Sequence, residues 1–292
     1  MDFETEFPMP NLREREALRR YFETESDFMP EKDFYTDPSN INIRKLAVST
    51  IATHWKDTDM DAFIPFLAIN YFDRFVSRNQ VLDAEIGLVT ICCLTIAAKM
   101  RTKSFSVSYF LEDRSVVFTE AKIRKMELHI LDSLGWRMRP VTPFTFLDYF
   151  NPTFGRIGGF RRRSINEIIV QAQGEDDFIE YKPSQIAYSS FLAATHILYP
   201  LKFPSIHKPR EQTNCYLGLI DLCRNKDIEI ENRRHAIVDE MEEEEEDDDE
   251  IKEVPKRQMN FDLKWPKNVN HVACTTFLPE VEVPWEQRCM IC

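Results

Sequence analysis

Two stretches of this chain run with almost no charge, and the segments around each carry apolar residues at helical spacing. The first stretch, Leu88 to Ala98, has no charged residue and lies in a helix predicted from about Asp83 to Met100. Apolar on every side, that helix belongs at the centre of a bundle. Before it, Asp37-Pro38-Ser39-Asn40 is a stop-and-cap signal for a helix from Ile41 to about Lys56. A second helix is predicted from about Met60 to Ser77, with Asp57 and Asp59 as capping candidates. After it come a short helix at Val107 to Glu112 and a longer one at Thr119 to Trp136. Five helices with short links and one at the centre describe a compact helical domain.

The plan then repeats. Pro140 breaks the chain, Thr142 can cap, and Pro143 suits a first helical turn. Helices are predicted at about Phe144 to Phe150, Gly159 to Ile179, Pro183 to Leu198 and Glu211 to Asn225. The third of these is again nearly uncharged. The halves share this pattern without evident identity between them. The expected fold class is therefore all-α. The expected organisation is an N-terminal segment over 1–35 with a short helix near Asn11 to Glu23, helical domains at 36–138 and 139–228, and a tail over 229–292. Glu242 to Glu250 is an unbroken acidic run that repels itself, so the tail is expected to be disordered.

Composition narrows the function classes. Of a formal net charge of −12 over 292 residues, the stretch from 239 to 292 supplies −10, with 16 acidic and 6 basic residues. The helical body is then close to neutral, which argues against binding driven by nucleic-acid phosphates. Arg161, Arg162 and Arg163 form a lone basic triplet, read as a solvated helix start. No window is apolar for the roughly 18 residues that a membrane span needs, and the acidic N-terminus lacks the apolar core of a secretory signal. Seven cysteines, an odd number, fit a reducing compartment with Cys92 and Cys93 as small core residues. The six histidines are isolated, and neither a Gly-rich phosphate loop nor a hydrolase elbow is present. His271, Cys274, Cys289 and Cys292 have zinc-like spacing, and Cys289 has the place of a prenylation site. The simpler reading is a tail with free thiols, so no metal or cofactor is assigned.

The informative residues are charges on apolar faces. With Ile123 at zero and about 100° per residue, Met126, Ile130, Leu131 and Leu134 fall between about −60° and +80°, and Glu127 lands inside that stripe. Lys99 closes the uncharged run. Each has a local reading: Lys99 as a snorkelling cation at a helix end, Glu127 as the partner of Lys99 or Arg124. Arg44 falls in the middle of the face made by Ile41, Val48, Ile51, Ala52 and Trp55, so it needs an internal acid, and Asp73 is the candidate. On the other side, Ile43, Leu46 and Ala47 form a second apolar surface that either packs under the N-terminal segment or faces a partner.

Several of these positions lie in ordered motifs. "NIRKLAVSTI", "FLAINYFDRFVS", "LTIAAKM" and "KIRKMELHILDSLGWRMRPVTPFTFL" resemble the cyclin box, over about Ile41 to Leu198, and "LGWRMRPVTPFTFLDYF" is similar to plant D-type cyclins. The resemblance implies two five-helix cyclin folds in tandem, of which the pattern places four helices in the second. It implies no catalysis by this chain. The implied role is to bind a cyclin-dependent kinase, hold its mobile regulatory helix in the active position and so drive cell-cycle progression at G1/S. By the same resemblance, Lys99 and Glu127 match the residues presented to the kinase helix. Arg44 and Asp73 match an internal brace. Ile43, Leu46 and Ala47 match a patch that docks substrates and inhibitors. The nucleus is the expected compartment, with the cytoplasm second.

Three departures mark this chain as unusual. Many cyclins follow the lysine with two acids, whereas Met100-Arg101-Thr102-Lys103 follows here. The docking patch commonly ends in Trp, and Thr50 stands there, so weaker docking is expected. No cysteine is preceded two positions earlier by Leu, so the Leu-x-Cys-x-Glu motif is missing and no retinoblastoma-type pocket binding is expected. These losses resemble the short, divergent sixth subgroup of plant D-type cyclins. The competing reading is a cyclin-like adaptor that binds a kinase or transcription factor without activating it.

Overall fold

The computed structural model describes residues 12–55, 63–102, 105–113 and 116–232. Among these residues the secondary structure is helical, ten α-helices linked by turns and short 3-10 segments. Two compact units divide them. One is formed by residues 30–139; the other combines residues 12–29 with 140–232. The chain opens with α1 (Leu12–Thr24), which belongs to the second unit.

The first unit holds α2 (Pro38–Trp55), α3 (Phe63–Val76), α4 (Ile86–Arg101), α5 (Val107–Asp113) and α6 (Glu120–Ser133). Pro38 takes the first helical position of α2, where its missing N–H costs nothing. Asp37, just before it, accepts from the Ser39 amide and hydroxyl, both at 2.8 Å, and those bonds hold its carboxyl below the usual range. Thr119 caps α6 by accepting from the Lys122 amide. The uncharged run does what its composition demands. Every residue from Val89 to Ala98 is buried, and α4 packs against α2, α3 and α6. Each fully buried aliphatic side chain there stabilises the unit by roughly 1.5–3 kcal/mol. Of the two threonines inside the run, Thr90 donates to Ile86 O on its own helix at 2.7 Å, and the Thr95 hydroxyl has Cys92 O within reach at 3.0 Å.

The second unit adds α7 (Leu147–Gly155), α8 (Arg162–Gly174), α9 (Pro183–Leu198) and α10 (Thr213–Asn225). Here α9 is the axis, packed against α7, α8 and α10 and buried throughout Ser189 to Thr195. Phe154 of α7 stacks on Phe191 of α9 with centroids 4.8 Å apart. The pattern placed four helices in this half; the fifth is α1, from the other end of the described chain. Phe22 of α1 packs on Phe146 at 4.7 Å. The turn after α1 carries Glu25, which is 2% exposed and accepts from the Ser184 amide at 2.8 Å and hydroxyl at 2.9 Å. A carboxylate thus sits on the N-terminal dipole of α9.

Several boundaries differ from the sequence expectation. The helix expected to reach Trp136 stops at Ser133, because Gly135 and Trp136 both turn left-handed, at φ 59° and 58°. The Gly135 amide bonds Asp132 O and the Trp136 amide bonds Leu131 O, the paired closure of a Schellman cap. The span expected from Gly159 to Ile179 splits into α8 and a 3-10 turn, Asp176–Phe178. The Arg161–Arg163 triplet is not simply solvated: Arg161 pairs with Glu231 at 2.5 Å and Arg162 with Asp148 at 2.8 Å. The acidic run, the C-terminal cysteines with His271, Lys103, Asp57 and Asp59 lie outside the described residues. Among the described residues no helix is long and apolar enough to cross a membrane.

Candidate functional site

Lys99 is the first residue after ten buried positions on α4, so its stem leaves the core just as its ammonium reaches the surface. Glu127, on the inward stripe of α6, points to the same place. Lys99 Nζ stands 2.7 Å from Glu127 Oε1 and 2.6 Å from Oε2. The Thr95 hydroxyl, one helical turn before Lys99, donates to Glu127 Oε1 at 2.6 Å. The pair is graded in depth: the glutamate side chain is 8% exposed and the lysine 31%. The carboxylate lies inside and the ammonium at the rim. Burial, then the nearby Glu127 charge, push the Cys92 thiol well above its usual range.

The family resemblance assigns the partners of these two charges to another chain. In this structure each is the partner of the other. Arg124, the alternative considered for Glu127, pairs instead with Glu120 at 2.5 Å.

Arg44 and Asp73 also meet. Arg44 Nε lies 3.0 Å from Asp73 Oδ1 and 3.2 Å from Oδ2, joining α2 to α3, and the two residues are 1% and 3% exposed. A third member was not anticipated. The Tyr35 hydroxyl donates to Asp73 Oδ1 at 2.7 Å, and the Arg44 guanidinium lies 5.9 Å from the Tyr35 ring centroid. An ion pair buried this deeply needs such extra donors to offset its desolvation.

The proposed docking surface is smaller than the three residues named for it. Leu46 is 42% exposed and Ile43 half-buried, but Ala47 is 1% exposed. At about 100° per residue, Ala47 lies about 40° from Ile43 toward Arg44, so it turns under the surface, while Leu46 turns about 60° the other way and stays out. Thr50 is spent locally: its hydroxyl donates to Leu46 O at 2.8 Å.

The basic residue after Lys99 has a structural place. The Arg101 guanidinium lies 5.3 Å from the Phe63 ring centroid, tying the end of α4 to the start of α3. Sequence reasoning missed Thr95 because one threonine in an apolar run reads as core filler. It missed Glu25 because its partner is 159 positions away. Among the described residues no His, Cys, Asp and Glu cluster could hold a metal ion.

Two helical units, each wound round a buried central helix, with a charge pair at the rim of the first, define a protein of the cyclin fold. A solved viral cyclin from herpesvirus saimiri shares it, at a TM-score of 0.54 over 70% of this chain and 96% of its own; at 17% identity that likeness speaks for the fold alone. Residues 16–139 match the family described as "Cyclin, N-terminal domain". The protein named "Putative cyclin-D6-1" of Arabidopsis thaliana is 31% identical over 242 residues, 76% of each chain. Cyclin-D4-1 of rice is 31% identical over 205 residues, 62% of this chain and 55% of the rice protein. The chain belongs to the D-type cyclins of plants, a family whose role in the cell cycle is regulatory.

Proposed function

We propose that this chain is the activating subunit of a cyclin-dependent kinase, acting in the nucleus at G1/S. One observation carries the reading: the Lys99–Glu127 pair, held at the rim of a rigid, buried helix with the lysine head a third exposed. Such a pair is pre-positioned, so little ordering entropy is lost when it meets a partner. It acts by differential binding. Contacts made only to the active arrangement of the kinase's regulatory helix shift the kinase toward that state.

The charge-swapped variant Lys99→Glu with Glu127→Lys tests this. Opposite charges still face each other, so helical content and melting are expected to stay near wild type, while co-purification of the kinase from dividing tissue is lost. A swapped chain that still activates the kinase normally refutes the interface.

The adaptor reading draws on the same geometry. Lys99 and Glu127 satisfy each other before any partner arrives, and Arg101 replaces an acid with a cation committed to Phe63. Kinase assays on co-expressed complexes with a histone substrate separate the two. Robust activity excludes the adaptor; a stable but inactive complex excludes the activator.

A further inference from the structure

The Thr95 hydroxyl is 0% exposed and sits between two acceptors, Glu127 Oε1 at 2.6 Å and Cys92 O at 3.0 Å. A hydroxyl has one proton to give. The bond to the carboxylate is the shorter and is charge-assisted, so the proton belongs there. Lys99 meanwhile touches both carboxylate oxygens, and Oε1 receives it and Thr95 together. Lys99 and Thr95 therefore hold one buried carboxylate from the same face of α4, four residues apart. They differ in freedom. The lysine ends a long flexible stem at the rim, while the threonine is β-branched, stiff at χ1 and packed in the core.

Resting on the reading that Lys99 and Glu127 meet a kinase, we propose that Thr95 is the positioning residue of that pair, its hydroxyl holding the Glu127 carboxylate in place when Lys99 turns outward to the kinase. Lys99 has three donors and directs two of them at Glu127, so turning its head outward to a partner weakens its hold on the carboxylate. A carboxylate this deep is costly to leave without donors. Thr95 keeps one donor on Oε1 throughout, so the carboxylate neither swings away nor recaptures the lysine as its sole support. The second acceptor makes the arrangement reversible. If the carboxylate is removed, the hydroxyl turns back to Cys92 O and is not itself orphaned. The effect of losing Thr95 on binding must then depend on Glu127.

That dependence is measurable. The kinase that co-purifies with the wild-type full chain is immobilised, and dissociation constants are taken for Lys99→Ala, Thr95→Val, Thr95→Ser, Glu127→Ala and the Thr95→Val/Glu127→Ala double variant. Thr95→Val is expected to weaken binding roughly tenfold, equivalent to about 1.4 kcal/mol, and Thr95→Ser, which keeps the hydroxyl, less than about twofold. In the Glu127→Ala background, adding Thr95→Val is expected to change binding by less than about twofold. Circular dichroism and melting check each fold, and Thr95→Ala, run in parallel, completes the same cycle if the valine variant does not fold. Wild-type binding by Thr95→Val alongside weakened Lys99→Ala overturns the positioning role and leaves the interface standing. An equal Thr95→Val loss with and without Glu127 also overturns it, because packing alone then explains the effect. Wild-type binding by Lys99→Ala overturns the interface itself and this inference with it.

Discussion

Replacing Asp73 by Ala removes the centre of the Arg44–Asp73–Tyr35 cluster. The cost follows from what is left behind. Arg44 is 1% exposed and loses its carboxylate, and the Tyr35 hydroxyl loses an acceptor at 2.7 Å. Breaking a buried ion pair from one side costs about 3–5 kcal/mol, against a total stability of about 5–15 kcal/mol for an ordinary domain. Asp73→Ala is therefore expected to cost about 4 kcal/mol. Tyr35→Phe removes one hydrogen bond to a charged group and is expected to cost about 1.5 kcal/mol. The double variant Arg44→Met with Asp73→Leu removes both charges together and is expected to be more stable than Asp73→Ala by at least about 2 kcal/mol, because an apolar pair carries no desolvation penalty. Urea melts of the full chain, followed at 222 nm and by the emission of the buried Trp55, give each value, with an unchanged m-value as the check that only stability moved. A cost below about 1 kcal/mol for Asp73→Ala, or a double variant as unstable as the sum of its parts, refutes the reasoning.

Three further changes probe other parts of the fold. Gly135→Ala places a Cβ at φ 59° in open space, so only backbone strain opposes it; a loss of about 1 kcal/mol in urea melts is expected. Glu25→Ala strips the cap from α9, with an expected loss of about 1–2 kcal/mol and faster hydrogen exchange at the Ser184 amide, which an unaltered exchange rate contradicts. Burial raises the Glu167 carboxyl above its usual range, with Arg163 opposing and Glu229 and Glu231 adding to the rise. An acid raised by folding contributes stability at low pH and loses it as pH climbs through its folded-state value. Glu167→Gln is thus expected to melt higher than wild type at pH 7.5, with the gap closing toward pH 4.

The parts of this fold legible in the sequence were those set by composition over many residues. The uncharged runs announced α4 and α9 as axes because a helix apolar all round has only one stable place. Arg44 was legible because a guanidinium amid aliphatics must have an acid within reach, and Asp73 was the acid at hand. Lys99 and Glu127 stood out for the same reason, but the periodicity of each helix says nothing about how α4 and α6 cross, so Lys99 could be named for Glu127 only as one of two partners, beside Arg124. Ala47 was misplaced by grouping neighbours in sequence: only about 40° of helical rotation separates a surface position from a buried one. The end of α6 was overrun by passing over Gly135, whose left-handed turn closes the helix at Ser133, in favour of the apolar Trp136 that follows it.

The link between Glu25 and Ser184 has a consequence for how the chain is made. α1 and Glu25 leave a ribosome about 160 residues ahead of the helix that Glu25 caps. The unit at 30–139 has all its helices in one continuous stretch and can close while synthesis continues. The other cannot finish until the helices after residue 140 return to a segment synthesised more than a hundred residues earlier. Removing residues 12–29, which in the sequence adjoin the first cyclin box, instead takes a helix and a cap from the second unit. A fragment series is expected to show 30–139 melting cooperatively on its own and 140–232 melting cooperatively only when 12–29 is supplied.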